Sequence, residues 1–333
     1  MKLYRLIKPD LDSLVVMSEA DPLPGPTEVL VQIKAASLNY KDLLFVKSAK
    51  DGGIELSRPT IPLSDAAGEV VALGSGVTDY AVGDRVTATV LHGWLEGPIP
   101  ADAISRALGA GRDGVLCEYR TFDQADLIKL PAKYSFEEGA TLPIAALTAW
   151  NAMEHVKPGQ RVLILGTGGV ALFALQFARA VRARVIITSS SDEKIARAKS
   201  MGAEEGINYR ASPEWQKEVL SLTDGCGVDH VVETVSGTSL QRSVAATAIG
   251  GHVHLVGLLD RGKIDPYDIQ YRAVNVHGIR MGPKILFESM IQCLEKCDIY
   301  PVIDRQFAFA DARQAYEYLK SGSHFGKVVI VID

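Results

Sequence analysis

A glycine-rich turn between a strand-like segment and a helix-like segment constrains the fold of this chain more than any other feature. Residues 166–171, GTGGVA, follow the apolar run 162–165 and open an apolar helical pattern over 170–181. In such a unit the first glycine permits the sharp turn, and the second lets the backbone approach a pyrophosphate. The helix N-terminus favours an anion through its free N–H groups and its dipole. We predict a dinucleotide-binding turn formed by Gly166, Thr167, Gly168, Gly169 and Val170, the alternative being a glycine-rich turn without a ligand.

Apolar strands alternate with amphipathic helices in the region around this turn. Strand patterns occur at 162–165, 184–188, 206–209, 228–233, 252–256 and 274–280, and helical patterns at 170–181 and 192–201. Six strands in this alternation are typical of a doubly wound parallel sheet. The predicted fold class is therefore α/β.

The rest of the sequence predicts a second, β-rich domain. From residue 1 to about residue 131, short segments of alternating polarity are separated by Gly and Pro turns. Residues 91–114 have little periodicity beyond one helical turn at 101–108, and we interpret them as an excursion near the active site. After residue 282, helices are predicted at 285–297 and 311–320, and strands at 305–309 and 327–332. We expect this segment to return to the first domain, which gives domains 1–145, 146–283 and 284–333.

The strand after the glycine turn indicates which dinucleotide is bound. An NAD site usually has Asp or Glu at the end of that strand, to bind the adenosine ribose. Here the strand ends in Ser189 and Ser190, whose hydroxyls can donate hydrogen bonds to a 2′-phosphate. Lys194 lies in the first helical turn, where a cation opposes the helix dipole unless it faces a phosphate, and Tyr209 ends the next strand. We predict NADP(H), with Tyr209 and the next residue, Arg210, as candidates to close over the phosphate; the alternative is that Lys194 and Arg210 are solvated surface charges.

The composition argues against several kinds of partner. The 333 residues carry a formal net charge of -5, so no basic field attracts nucleic acid or an anionic membrane surface. The longest apolar stretch, 140–152, is interrupted by Pro143 and is too short to span a bilayer. The first 14 residues lack a signal-peptide pattern, and four cysteines are too few for a disulfide framework. We expect a cytoplasmic protein that acts on a small molecule.

Five segments resemble the medium-chain dehydrogenase/reductase superfamily. They are ASLNYKD at 36–42, AAGEVV at 66–71, VGDRV at 82–86, residues 142–150 and the glycine turn. The resemblance implies a GroES-like catalytic domain joined to a Rossmann domain, with the active site in the cleft between them. Members of the superfamily are commonly dimers or tetramers, so a homodimer is expected.

Alcohol dehydrogenases of that superfamily hold a catalytic zinc with a Cys, a His and a second Cys. By the local pattern, this chain has Asn39, Ser64 followed by Asp65, and Ile144 at those places. These side chains do not supply three soft or imidazole ligands to tetrahedral zinc, so we predict no metal site. His252 and His254 are interpreted as core histidines, and Cys293 and Cys297 as buried small hydrophobic residues.

Without a Lewis acid, easier hydride acceptors are favoured, such as quinones and α,β-unsaturated carbonyl compounds. The resemblance points the same way, because zinc-free branches include quinone oxidoreductases and enone reductases that prefer NADPH. Asn39 and Tyr40 are candidates to hydrogen-bond the substrate oxygen, and Tyr40 is also a candidate proton donor. Lys41 and Asp42 are interpreted as a supporting ion pair or as residues that orient the loop. Ser64 and Asp65 are expected to line the floor of the cleft.

Further site residues are predicted from position. His92 and Trp94, on the irregular excursion, are candidates for the walls of the substrate pocket. The resemblance places nicotinamide contacts at Thr148, Gly257, Leu258 and Met281, and Gly326 and Lys327 are expected to close over the cofactor.

The leading hypothesis is a zinc-independent, NADPH-dependent reductase of a quinone, enone or related carbonyl. One alternative is an NADP-dependent alcohol dehydrogenase or aldehyde reductase without zinc, although it lacks an oxygen-polarising group. Another is a non-catalytic NADPH-binding protein that keeps the fold without turnover.

Overall fold

The computed structural model describes residues 1–48, 50, 52–54, 56, 58–257 and 259–333. The chain divides into two compact units. Unit 1 consists of Met1–Leu147 and Gly282–Asp333, and unit 2 consists of Thr148–Met281.

The strands, in chain order, are β1 (Lys2–Leu6), β2 (Leu14–Ser18), β3 (Glu28–Leu38), β4 (Asp65–Leu73), β5 (Arg85–Ala88), β6 (Tyr119–Asp123), β7 (Leu127–Lys129), β8 (Arg161–Leu165), β9 (Arg184–Ser189), β10 (Glu205–Asn208), β11 (Val228–Glu233), β12 (Thr247–Leu255), β13 (Asn275–Gly278), β14 (Ile303–Ala308) and β15 (Lys327–Val331). The α-helices are α1 (Tyr40–Phe45), α2 (Ala103–Arg106), α3 (Phe136–Gly139), α4 (Leu147–Met153), α5 (Gly169–Ala180), α6 (Asp192–Ser200), α7 (Trp215–Leu222), α8 (Thr238–Ala246), α9 (Pro266–Tyr271), α10 (Lys284–Lys296) and α11 (Ala312–Ser321).

Unit 2 is built on a six-stranded parallel sheet. Its strand order is β10-β9-β8-β11-β12-β13, so the direction of winding reverses between β8 and β11. This confirms the predicted doubly wound sheet, whose ligands bind beyond the carboxyl ends of the strands near such a reversal. One face of the sheet buries Val231 and Val253 against Trp215 and Val244.

β12 begins at Thr247, earlier than the predicted start at 252. Gly250 has φ +77 and lies within the strand, at a point where the apolar pattern is interrupted. Glycine weakens a strand signal but accommodates an irregular strand, so periodicity alone places the start too late.

Unit 1 contains a seven-stranded sheet and the β1–β2 pair. The main path is β14-β15-β3-β4-β5-β7, and β6 pairs with β3 beside it. β15 pairs antiparallel with β3, so the last strands of the chain complete the sheet that its first part begins. The pairs β3–β4, β4–β5 and β5–β7 are also antiparallel. The C-terminal ends of β3 and β5 therefore lie at the same edge of the sheet as the N-terminal ends of β4, β7 and β15. We call this edge the polar edge.

The irregular excursion over 91–114 folds back on itself. The predicted helical turn is present as α2, and Leu108 N donates to Val90 O at 3.0 Å while His92 N donates to Arg106 O at 3.2 Å. These hydrogen bonds hold the end of the excursion beside its beginning, just after β5.

The cysteines of α10 differ from the sequence interpretation. The helix buries Phe287, Met290 and Leu294, whereas Cys293 is partly exposed and Cys297 is exposed. Both cysteines lie beside the buried stripe because the 3.6-residue period places them off its centre.

Among the described residues, no helix has both the length and the apolar content needed to cross a membrane. The apolar stretch at 140–152 instead forms a π-helical turn, Leu142–Ala146, that leads directly into α4.

Candidate functional site

The glycine turn of unit 2 has the geometry that a pyrophosphate requires. Gly166 directly follows β8 and has φ +81, a conformation that favours glycine, and α5 begins at Gly169. The N-cap residue Gly168 has no side chain to occupy the first N–H groups of α5. Those groups and the helix dipole therefore fit a phosphate anion of a bound dinucleotide.

The hydroxyls that follow the turn on β9 point in different directions. Ser189 is buried, with Oγ 3.5 Å from Thr167 Oγ1, so it faces the glycine turn. Ser190 is partly exposed, whereas Ser191 accepts a hydrogen bond from Lys194 N at 3.4 Å and caps α6. Tyr209 is exposed just beyond β10. Of the predicted 2′-phosphate contacts, Ser190 and Lys194 are thus partly exposed on unit 2 and Tyr209 is exposed.

Other predicted cofactor residues lie at the carboxyl ends of the unit 2 strands or beside α4. Gly257 follows β12, and a Cβ there would lie 2.5 Å from the backbone of Thr234 and Val235. Thr148 is buried on α4, and Met281 O accepts a hydrogen bond from Asn151 Nδ2 at 2.6 Å. Leu258 lies outside the described residues.

Sequence reasoning missed Glu233, a fully buried carboxylate at the end of β11. An ionised carboxylate only accepts hydrogen bonds, and Glu233 Oε1 accepts from Val235 N at 2.8 Å, Ser236 N at 2.9 Å and Ser239 Oγ at 2.8 Å. Ser243 Oγ also donates to Oε2. The glutamate therefore fixes the turn between β11 and α8. An acidic residue as the last residue of an apolar strand is the sequence signal that could have identified it.

Four histidines form an array on the sheet face opposite the Val231 core. His230 Nδ1 lies 3.1 Å from His254 Nε2, and His252 Nδ1 lies 3.0 Å from His277 Nε2. His230 Nε2 lies 3.2 Å from Gln160 Oε1, so the network favours a neutral His230 that donates to Gln160. Burial lowers the pKa of His230 to about 4 and that of His254 to about 3. The prediction that His254 is buried is confirmed, while His252 is partly exposed.

A buried cation lies at the polar edge of unit 1. Lys327 begins β15, and its Nζ donates to Leu38 O at 2.7 Å and to Asn39 Oδ1 at 2.8 Å. Asn39 Nδ2 donates in turn to Asp65 Oδ2 at 2.9 Å, and Lys327 Nζ is 4.0 Å from the same oxygen. We call Lys327, Asn39 and Asp65 the Lys327 cluster. Its two charged side chains are almost fully inaccessible, at 3% for Lys327 and 0% for Asp65.

Neighbouring residues fix the geometry of this cluster. Asp42 accepts a hydrogen bond from Asn39 N at 2.7 Å and so orients the start of α1. Ser64 Oγ lies 3.2 Å from Asp65 Oδ1, and Ile144 N donates to Asp65 Oδ2 at 3.3 Å. Gly326 has φ +97 and sits where a Cβ would be 2.3 Å from Val302 O, which permits the close approach of the chain just before Lys327.

Burial shifts the protonation of these groups in opposite directions. It lowers the pKa of Lys327 to about 8, although Asp65 and Asp42 favour the charged ammonium. It raises the pKa of Asp42 to about 6 and also raises the pKa of Asp65, against the attraction of Lys327. Lys41 adds a further positive charge near both carboxylates. Tyr40 packs against the core of unit 1, with Lys47 Nζ 5.8 Å from its ring centre.

The residues at the positions that hold zinc ligands in the resemblance, Asn39, Ser64 and Ile144, all contact Asp65 of the Lys327 cluster. They supply an amide from Asn39, a hydroxyl from Ser64 and only a backbone N–H from Ile144. Thiolate and imidazole ligands are missing from this set, so these residues do not fit a catalytic zinc. Among the residues that the structure describes, no group of three His, Cys, Asp or Glu side chains is arranged to hold a metal ion.

The predicted pocket residues His92 and Trp94 lie on the excursion after β5. Trp94 is buried, with Nε1 donating to Gly97 O at 3.0 Å. His92 Nδ1 is hydrogen-bonded to Asp126 Oδ2, and the same carboxylate accepts from Gly93 N at 2.8 Å. Sequence reasoning missed Asp126, because it lies 34 residues from its histidine partner.

A glycine turn on a doubly wound sheet, in a chain that also carries the mainly antiparallel sheet of unit 1, is the architecture of nicotinamide-dependent oxidoreductases. Two family descriptions match the sequence, "Alcohol dehydrogenase GroES-like domain" over residues 25–132 and "Zinc-binding dehydrogenase" over residues 169–296. A zinc-type alcohol dehydrogenase-like protein of Schizosaccharomyces pombe is 42% identical over 320 residues, covering 93% of this chain and 92% of the relative. The chain belongs to the medium-chain dehydrogenase/reductase superfamily.

Solved structures of related proteins agree with the fold. An NAD-dependent alcohol dehydrogenase superposes with a TM-score of 0.89 at 31% identity and covers 100% of both chains. A quinone oxidoreductase from Pseudomonas syringae pv. Tomato DC3000 superposes with a TM-score of 0.83 at 27% identity and covers 99% of both chains. Relatives with both kinds of activity therefore share this architecture.

Proposed function

We propose that the chain is a zinc-independent, NADPH-dependent reductase of quinones or α,β-unsaturated carbonyl compounds. The observation that carries the proposal is the Lys327 cluster, in which a buried ammonium is hydrogen-bonded to Asn39 at a place where zinc-dependent relatives have a metal ligand. An ammonium and an amide can donate hydrogen bonds to a carbonyl oxygen but cannot coordinate it as a Lewis acid does.

The donors of the cluster are only partly used. Lys327 has three N–H bonds, of which one points to Leu38 O and one to Asn39 Oδ1. Asn39 has two amide N–H bonds, one of which points to Asp65 Oδ2. Asp65 Oδ2, at 4.0 Å from Lys327 Nζ, is too distant for a third hydrogen bond. Within the described part of the chain, one N–H of each group is thus left for a substrate oxygen.

Two such donors suit an acceptor whose charge is already delocalised. NADPH, when bound, supplies the hydride. Conjugation in a quinone or enone spreads the developing negative charge, so donors preorganised in a buried site stabilise it without a metal. A simple aldehyde concentrates that charge on one oxygen and depends more on a Lewis acid.

The preference for NADPH rests on the adenosine end of unit 2. β9 ends without a carboxylate, and the nearest acidic side chain on α6, Asp192, accepts a hydrogen bond from Asn208 Nδ2 at 2.8 Å. Ser190 and Lys194 are partly exposed beside it. A 2′-phosphate would therefore meet a hydroxyl and an ammonium group rather than a ribose-binding carboxylate. We propose in addition that the active form is a cytoplasmic homodimer, in which residues 1–145 and 284–333 form the catalytic domain and residues 146–283 form the NADP-binding domain.

The proposal is tested by cofactor oxidation in the purified chain after dialysis against EDTA. We expect NADPH to be oxidised with 1,4-benzoquinone or 2-cyclohexenone, more efficiently than NADH, and zinc addition to leave the rate unchanged. Lys327→Gln should lower kcat, whereas Lys320→Gln, an exposed lysine of the same unit, should not. Zinc-dependent oxidation of alcohols would favour the dehydrogenase alternative, and NADPH binding without turnover would favour a non-catalytic protein.

A further inference from the structure

His92 and Asp126 form a pair with the features of a general acid and the carboxylate that positions it. Asp126 is buried, whereas 42% of the His92 side chain is exposed. The two oxygens of Asp126 have different partners, His92 Nδ1 on Oδ2 and Gly93 N on Oδ1. Thr89 N also donates to Asp126 O at 2.8 Å, so the backbone of Asp126 is held as well.

The hydrogen-bond inventory assigns the proton on the His92 ring. An ionised carboxylate only accepts, so Nδ1 is the donor to Asp126 and carries a hydrogen. Nε2 is then the nitrogen that gains and releases a proton, as in other carboxylate-oriented imidazoles. The His92 side chain is 42% exposed, whereas that of Asp126 is 6% exposed, so the ring is not enclosed as its carboxylate partner is.

Strand register places this pair at the polar edge, with the Lys327 cluster. Ser37 pairs with Asp65 across β3 and β4. Ala67 of β4 pairs with Thr87 of β5, so the same register continued by two residues places Asp65 opposite Thr89. Ala88 of β5 pairs with Leu127 of β7, so the register continued by one residue places Thr89 opposite Asp126. Adjacent strands are about 4.8 Å apart, so the backbone of Asp126 lies about 10 Å from that of Asp65.

We propose that His92 is the proton donor of the reduction and that Asp126 is its positioning residue, an inference that rests on the proposed function. The hydride adds to the acceptor carbon and its electron pair moves through the conjugated system to the oxygen. The N–H bond at His92 Nε2 then breaks and the proton passes to the enolate or hydroquinone oxygen, which leaves a neutral imidazole that regains a proton from water. Cofactor and acceptor exchange two electrons, and no further oxidant is needed.

The alternative donor, Tyr40, is less suited to this step. Its ring packs against the core of unit 1, and no buried carboxylate among the described residues accepts a hydrogen bond from its hydroxyl. The charged groups near His92 are Asp126 and, on the packed helix α2, Arg106, whose Nε is paired with Asp102 Oδ1 at 2.8 Å. Of these two groups, the Asp126 carboxylate is the one in hydrogen-bond contact with the His92 ring.

The experiment compares His92→Gln, Asp126→Asn and the control His155→Gln, an exposed histidine of unit 2. NADPH affinity is measured by fluorescence titration, and kcat and KM with 2-cyclohexenone are measured by following NADPH oxidation. We expect His92→Gln to bind NADPH normally and to lose about 100-fold in kcat with little change in KM. Asp126→Asn should likewise lower kcat while NADPH affinity and KM stay near the wild-type values, a split that a purely structural role would not give, and His155→Gln should match the wild type.

Two outcomes overturn different parts of this reasoning. A His92→Gln chain with wild-type kcat overturns the role of His92 but leaves the proposed function intact. A wild-type chain that binds NADPH and reduces none of the acceptors overturns the proposed function, and the proton-donor role with it. If Asp126→Asn unfolds, His92→Gln decides the question alone, because its partly exposed side chain makes few packing contacts to lose.

Discussion

Replacing Lys327 by Met should destabilise unit 1, because the substitution leaves Asp65 buried without a cation. Asp65 is fully buried, and Lys327 is its nearest positive group, at 4.0 Å. Removing one partner of a buried ion pair typically costs about 3 to 5 kcal/mol. Asp65 keeps hydrogen bonds from Asn39, Ser64 and Ile144, so we expect a loss of about 3 kcal/mol, at the lower end of this range.

A double variant, Lys327→Met with Asp65→Asn, separates the cost of an unpaired charge from the cost of lost packing. Burial lowers the pKa of Lys327 and raises the pKa of Asp65, so each ion is less favoured in the folded chain than in water despite the partner. Removing both charges, in Lys327→Met with Asp65→Asn, should therefore recover most of the loss, to within about 1 kcal/mol of the wild type. Lys320→Met, on the exposed face of α11, is the matched control and should change stability by less than about 0.5 kcal/mol.

Urea unfolding followed by tryptophan fluorescence measures these differences. Of the three tryptophans, Trp94 lies in unit 1 and Trp150 and Trp215 lie in unit 2. In a Trp150→Phe, Trp215→Phe background the signal reports unit 1, which matters because the two units need not unfold together. A double variant as unstable as Lys327→Met would refute the reasoning, since the cost would then come from lost packing and not from an unpaired carboxylate.

Three other predictions concern cofactor, metal and pH. Lys194→Ala should weaken NADPH binding by about tenfold or more and NADH binding little, as judged by titration; equal losses would contradict a 2′-phosphate contact. Metal analysis of the purified chain should find less than stoichiometric zinc, and a tightly bound zinc atom would contradict the interpretation of Asn39. Because the pKa of His254 is lowered to about 3, below its unfolded value, its contribution to stability is complete above about pH 6.5 and is lost as the pH falls towards 3. Between pH 7 and pH 5 that loss amounts to about 2 kcal/mol, and His254→Gln should make the urea midpoint of unit 2 correspondingly less sensitive to acid.

Local patterns were sufficient to predict the class of fold and the glycine turn between β8 and α5. The central strands β8 and β9 have apolar runs, and the order of strand and helix along the chain restricts a parallel sheet to few topologies. The turn at Gly166 combines a positive φ with a following helix, and both features depend on residues that are adjacent in the sequence. These features depend on short-range sequence, so they can be predicted without knowing what packs against them.

The interactions that define the candidate sites depend on strand order instead. Lys327 contacts Asn39 across 288 residues, because β15 pairs with β3. His252 and His254 lack a third histidine nearby in sequence, but β11 and β13 flank β12 and bring His230 and His277 beside them. Periodicity identifies the face of a strand on which a residue lies but not which neighbouring strand completes that face.

The buried ammonium also explains why substrate choice and metal dependence are linked in the proposed function. A zinc ion binds a carbonyl oxygen directly and can stabilise an alkoxide, whereas Lys327 offers one remaining hydrogen bond and a single charge partly balanced by Asp65. The ammonium can hold its charge without water because Leu38 O and Asn39 Oδ1 accept its other hydrogens. Such a site lowers the energy of a delocalised anion more readily than that of a localised one, since less charge must be balanced at one atom. The proposed function therefore predicts activity on conjugated acceptors with little activity on simple aldehydes.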